Sequence, residues 1–158
     1  MSVPHLQVFE TARPFPEKVD VAIIGGGIAG ITVAMFLAEA GISVAVLEKG
    51  RVAAEQSSRN WGWTRQMGRD PVELPLTIES LNLWRDLDRR FQINTGYRET
   101  GITYVCRTKR EIDEFTKWGE YAKAAKMPSK VLNGPELQDL IPGLSTDFKM
   151  ALHTANDG

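Results

Sequence analysis

Three glycines, Gly25, Gly27 and Gly30, stand at the spacing G-x-G-x-x-G between two apolar runs, and they limit this chain to very few folds. Val19, Val21, Ile23 and Ile24 precede them, a short β-branched run that reads as a strand buried on both faces. From Ile28 to Ala40 the period changes to that of a helix, with Ile28, Ile31, Val33, Ala34, Phe36 and Leu37 on a broad apolar stripe. Gly41 supplies a left-handed stop. Ser43 to Leu47 is a second strand-like run, and it ends on an acid, Glu48. The pattern predicts an α/β fold with parallel strands at 19–24 and 43–47 around a helix at 28–40.

Each glycine has a task in such a unit. The first allows the tight turn out of the strand, the second removes a Cβ where a pyrophosphate must approach, and the third lets helix and strand lie close. The free N–H groups and the positive end of the helix dipole attract the phosphate charge. Glu48 follows Gly30 by 18 residues, at the end of the second strand, where a carboxylate can accept both hydroxyls of an adenosine ribose. Strand, helix, second strand and acid in this order read as a site for an ADP-containing dinucleotide.

Past Glu48, the run Ser57-Ser58-Arg59-Asn60-Trp61-Gly62-Trp63-Thr64-Arg65 crowds hydroxyls, an amide, two guanidinium groups and two indoles together. That mixture is poor at making a core and suited to a binding wall, with a surface turn as the plainer alternative. Ser57 or Ser58 is expected to cap a short helix aimed at phosphate. Beyond it, Leu74, Ile78, Leu81, Trp84, Leu87 and Phe91 recur at helical steps and predict a long amphipathic helix over about 75–91. Residues 97–99 and 102–106 read as strands or a hairpin. Thr108 and Glu111 form a capping box for a helix carrying Ile112, Phe115, Trp118 and Ala122. Asn133-Gly134-Pro135 opens a short helix stopped by Pro142-Gly143, residues 148–154 read as a further strand, and Asn156-Asp157-Gly158 as a turn.

A formal net charge of −1 argues against nucleic acid or an anionic membrane surface as the main partner. No apolar run reaches the length of a bilayer span, and the first eighteen residues, an irregular arm, have neither signal-peptide nor transit-peptide character. His5 in that arm has no second ligand nearby, so no metal site is expected. One cysteine, Cys106, excludes an internal disulfide and points to a reducing compartment, the cytoplasm by default.

With these residues laid out, the chain resembles the amino-terminal portion of the D-amino-acid oxidase superfamily of FAD-dependent oxidoreductases, the glycine and sarcosine oxidase-like group. The resemblance runs from about Val19 to Gly158 and rests on GGGIAGITVAMFLAEAGISVAVLEKG, on SSRNWGW, and more weakly on ETGITYV and LIPGL in that order. It implies FAD as the cofactor. Gly25, Gly27 and Gly30 would cradle its pyrophosphate, Glu48 would hold the adenosine ribose, and Lys49 and Arg51 would flank the adenosine. Ser57, Ser58, Arg59, Asn60 and Gly62 would line the flavin side, and no His or Cys stands in that segment to carry the flavin covalently. Thr64-Arg65 matches a Thr-Arg pair that some amine oxidases of the family hold near the substrate carboxylate. Arg65 is therefore the candidate clamp, since a guanidinium takes a carboxylate bidentately.

The activity so implied is oxidation of the C–N bond of an amino acid or secondary amine to an imine. Family members are more than twice as long as this chain. The resemblance thus implies a Rossmann-like FAD-binding part at 19–95 and the beginning of an α+β substrate domain at 96–158. The remaining strands would come from a missing C-terminal segment or a second chain, and the 158 residues alone are expected to be inactive. Two other readings stay open: a nicotinamide-dependent Rossmann dehydrogenase, which leaves SSRNWGW unexplained, and a non-catalytic dinucleotide-binding subunit.

Overall fold

The computed structural model describes residues 14–158, so His5 and most of the expected arm at 1–18 lie outside the described residues. The chain divides into two compact units, Met1–Gly62 and Trp63–Gly158.

In the first unit, strand β1 (Val21–Ile24), helix α1 (Ile28–Glu39) and strand β2 (Val44–Leu47) form a right-sized crossover, followed by a single helical turn, α2 (Gln56–Arg59). β1 and β2 are parallel, in register from Val21↔Val44 to Ile24↔Leu47, as the apolar runs predict. Gly41, at φ +77°, ends α1 by returning N–H bonds to it, Gly41 to the Ala38 carbonyl and Ile42 to the Leu37 carbonyl. At the start of both strands Asp20 accepts hydrogen bonds from the Ser43 amide and hydroxyl, a latch that no periodicity announces.

Burial of β1 on both faces is not observed. Val21 and Ile23 are half-buried while Ala22 and Ile24 are exposed, Ile24 at 90%. The side-chain period of two turns alternate residues to opposite faces. Ile23 faces α1, its Cγ2 lying 3.3 Å from where a Cβ on Gly30 would stand, so Ile24 belongs to the other face.

The second unit begins with a turn of 3-10 helix at Pro71–Glu73, capped by the Asp70 side chain, which runs into α3 (Leu74–Phe91). Strand β3 (Ile102–Cys106), helix α4 (Lys109–Ala124), strand β4 (Ser129–Asn133), helix α5 (Gly134–Leu140) and strand β5 (Met150–Thr154) follow. The three strands make an antiparallel sheet in the order β3-β5-β4. Its core unites Met67, Leu74, Trp118, Ala122, Met127 and Leu152, with Ile78, Phe115 and Tyr104 packed against them. The Thr108–Glu111 capping box is formed, and so is one at Asn133 and Glu136.

Residues 97–99 are not a strand, so the hairpin expected there is absent. β3 pairs with β5 instead, which brings the buried Met150, Ala151 and Leu152 into the sheet, whereas Tyr97-Arg98-Glu99 has little apolar surface to contribute. β4 is an edge strand of weak pattern, Ser-Lys-Val-Leu-Asn, and its partner β5 defines it.

Candidate functional site

The site grows from the turn between β1 and α1. Gly25 has φ +108°, a conformation side chains disfavour, and its N–H donates to the Leu47 carbonyl at 2.8 Å, closing the end of the parallel pair. A Cβ on Gly30 would lie 2.0 Å from the Gly25 carbonyl oxygen, so only glycine lets α1 start this close to the strand. Gly27 is the N-cap of α1 and offers no side-chain cap of its own. Ser57 provides one from 29 residues away, its Oγ accepting the Ile28 N–H at 2.9 Å.

Glu48 is built into the same turn. One carboxylate oxygen accepts the Gly26 N–H at 2.7 Å and the other the Gly50 N–H at 2.8 Å. These bonds, the one from Gly26 foremost, hold its pKa below the ordinary carboxylate value by favouring the charged form. Each oxygen keeps lone-pair capacity for a further donor. The Ala53 N–H donates to the Gly26 carbonyl at 2.9 Å, drawing the segment after β2 back over the glycine turn.

The expectation that Ser57 or Ser58 caps a helix of its own is corrected. Glu55 occupies the N-cap of α2, and both serines lie inside that single turn. Ser57 caps α1, while the Ser58 hydroxyl donates to the Ala54 and Glu55 carbonyls, the usual competition of a short hydroxyl for nearby backbone. Asn60 folds the following bend, donating from Nδ2 to the Ser57 carbonyl and accepting the Gly62 N–H, both at 2.7 Å. Arg59 is exposed and ion-paired with Glu55 at 3.3 Å. Lys49 and Arg51 are exposed beside the Glu48 loop. Gly25, Gly27, Gly30, Glu48, Ser57 and Asn60 are thus one connected piece of structure.

Arg65 belongs to the second unit. Its guanidinium lies 6.0 Å from the Trp63 ring centre and 5.7 Å from that of Tyr104, and Nη1 donates to the Met67 carbonyl. Asp157, in the segment whose sequence reads as a turn, is fully buried, and its carboxylate accepts the Gln66 and Met67 amides, both at 3.0 Å. Burial pushes its pKa up, partly offset by those amides. A turn Asp and a buried Asp look alike in sequence, so no signal announced it. His153 pairs with Thr103 across the sheet at 2.9 Å, and the buried Cys106 thiol is pushed up to about 11 by desolvation. Among the described residues no group of three or more His, Cys, Asp or Glu could hold a metal, and no helix is long and apolar enough to cross a membrane.

The strand–glycine turn–helix with an acid at the end of the next strand is a dinucleotide-binding geometry. Residues 20–158 match the model of the family DAO, described as FAD dependent oxidoreductase. The chain belongs to the DAO family of FAD-dependent oxidoreductases. The glycine turn fits the family's cofactor: it has no room for a Cβ at Gly30, no side chain on the Gly27 cap, and paired acceptor oxygens at Glu48. Among relatives in the family, the human mitochondrial sarcosine dehydrogenase is 28% identical over 150 residues, 93% of this chain and 16% of the relative. Sarcosine oxidase subunit beta from Rhizobium meliloti is 29% identical over 138 residues, 85% of this chain and 33% of the relative. The solved L-amino acid deaminase of Proteus myxofaciens, in complex with anthranilate, superposes with a TM-score of 0.89 at 31% identity. That match covers 97% of this chain and 36% of the deaminase. The chain therefore spans from about a sixth to little more than a third of these family members.

Proposed function

We propose that this chain is the FAD-binding start of an enzyme that oxidises the C–N bond of an amino acid or secondary amine to an imine. The observation that carries the reading is the joined Gly25–Gly30 turn and Glu48 carboxylate in a chain of an FAD-dependent oxidoreductase family. Relatives named for sarcosine and amino-acid substrates support the amine class. When bound, FAD supplies the acceptor for the two electrons of such an oxidation.

The chain's own residues bind and orient. The amides at the start of α1 other than that of Ile28, which Ser57 holds, receive the pyrophosphate, and the lone pairs left on Glu48 accept ribose hydroxyls. Lys49 and Arg51 flank the adenosine, and Ser57, Ser58, Arg59, Asn60 and Gly62 line the path toward the flavin. Arg65 clamps a substrate carboxylate. Its ring backing and its bond to Met67 leave further N–H donors for a second partner. On this reading 19–95 serves FAD and 96–158 opens the substrate domain, although α3 packs into the core of the second unit. Further polypeptide, from the same chain or a second one, covers the exposed Ile24 and Leu47 and completes the active site; the relative named as a subunit is a precedent for the second case. By itself the chain turns over no substrate. A cytoplasmic location belongs to the same reading, supported by the single reduced cysteine.

The test is titration of FAD, and in parallel of NAD, into the purified chain, followed by flavin fluorescence and calorimetry. Gly27→Val is expected to abolish FAD binding and Glu48→Ala to weaken it. A Gly27→Val chain that binds FAD like the original, or a preference for NAD, overturns the assignment.

A further inference from the structure

Asp157 takes no part in the dinucleotide site, yet it is a fully buried carboxylate. An unpaired carboxylate is costly to bury, so its partners indicate what it is for. Its two oxygens take two consecutive backbone amides, Gln66 on Oδ1 and Met67 on Oδ2, each at 3.0 Å. On the other side of Arg65, the Thr64 N–H donates to the Gly158 carbonyl at 2.7 Å and the Gly158 N–H returns to the Thr64 carbonyl at 2.9 Å. The pair Asp157-Gly158 thus grips the backbone on both flanks of Arg65 and leaves Arg65 itself between the grips. Gln66 adds a bond from Nε2 to Asn156 Oδ1 at 2.8 Å, and Gly101 N–H anchors the Asp157 carbonyl at 2.9 Å.

The geometry asks for an acceptor oxygen opposite each of the two amides, which a carboxyl group supplies. An Asn offers one acceptor and would turn its NH2 toward the second amide. The side chain that emerges from the gripped segment is a guanidinium lying against Trp63 and Tyr104. The charged and titratable groups bearing on Asp157 are Arg65 itself, whose positive charge favours the ionised carboxylate, and Tyr97, whose phenol feels the Asp157 charge; Arg85 nearby reaches the Asn156 carbonyl and pairs with Glu99.

We infer that Asp157 is a positioning residue: by holding the 66–67 amides it sets the direction in which Arg65 presents its guanidinium to an anionic ligand. This rests on the reading of Arg65 as a carboxylate clamp.

Two measurements on the whole chain test it. In labelled protein the pH is lowered while the Asp157 carboxyl carbon, the Gln66 and Met67 amides and the Arg65 Nε–H are followed by NMR. The Arg65 signal is expected to move with the midpoint of Asp157; an Arg65 signal that stays flat through that midpoint overturns the inference, and this requires no variant to fold. The second measurement titrates anthranilate, an aromatic carboxylate, by its own fluorescence. Arg65→Ala and Asp157→Asn should each weaken binding at least tenfold, and the double variant should be no weaker than Arg65→Ala alone. Weakening by Arg65→Ala with Asp157→Asn unchanged overturns the inference and spares the clamp. No binding by the unaltered chain, or binding indifferent to Arg65→Ala, overturns the clamp itself.

Discussion

The first unit has one buried residue among its described positions, Gly26, whereas all eleven buried apolar residues of the described chain, from Met67 to Leu152, lie in the second. The first is held by directed polar contacts: Glu48 on two amides, Ser57 on α1, Asp20 on Ser43. The second is held by side-chain burial around Leu152 and Trp118, with Asp157 as its one buried carboxylate. Shape in the first unit is therefore specified by backbone requirements, which are short in range and intolerant of added atoms. In the second it is specified by apolar volume, which tolerates exchange of residues and suffers from their loss.

Gly30→Ala should separate the two most sharply. The new Cβ would meet the Gly25 carbonyl, which no rotamer can move, at a cost of about 3 kcal/mol or more. Amide hydrogen exchange should show β1 and β2 losing protection while β5 keeps it; unchanged protection in β1 would break the comparison. Leu152→Ala, at a fully buried site between Tyr104 and Val131, should cost about 2–5 kcal/mol and lower the melting temperature of the second unit. Retention of full stability there would mean that the core lies elsewhere. Ile24→Thr should do little, within about 0.5 kcal/mol in this chain, because Ile24 is exposed. A large loss in chemical denaturation would show that the face is covered.

The smallest expected effect is a contrast in acid. Glu48 titrates below its ordinary value, so the stability it contributes is present at neutral pH and is lost as pH falls through that lowered folded value. Asp157 titrates above the ordinary aspartate value because it is buried. Its contribution has the opposite sign: stability is greatest below the unfolded value and declines as pH rises through the folded one. Carboxyl NMR titration reads both, and a Glu48 midpoint above the ordinary glutamate value or an Asp157 midpoint below the ordinary aspartate value would contradict the environments described.

Much of the fold was legible. The β1–α1–β2 crossover, α3, α4 with its capping box and the strand at β5 all follow from period and cap residues, which act within a few positions of one another. The strand at 129–133 escaped because Ser-Lys-Val-Leu-Asn has no pattern of its own until β5 supplies one. The hairpin expected at 97–106 failed because strand pairing goes to the most apolar partner, and that partner lies about fifty residues further on.

The sequence by itself determined the glycine turn and its acid, because each of those residues answers to its near neighbours and to the geometry of one strand and one helix. The tertiary structure alone decided that Ser57 caps a helix 29 residues earlier, that Ile24 is exposed, and that Asp157 is a buried brace on the segment of Arg65. Those outcomes depend on which distant segments meet, and a side chain carries no mark of the partner it will find once the chain has closed.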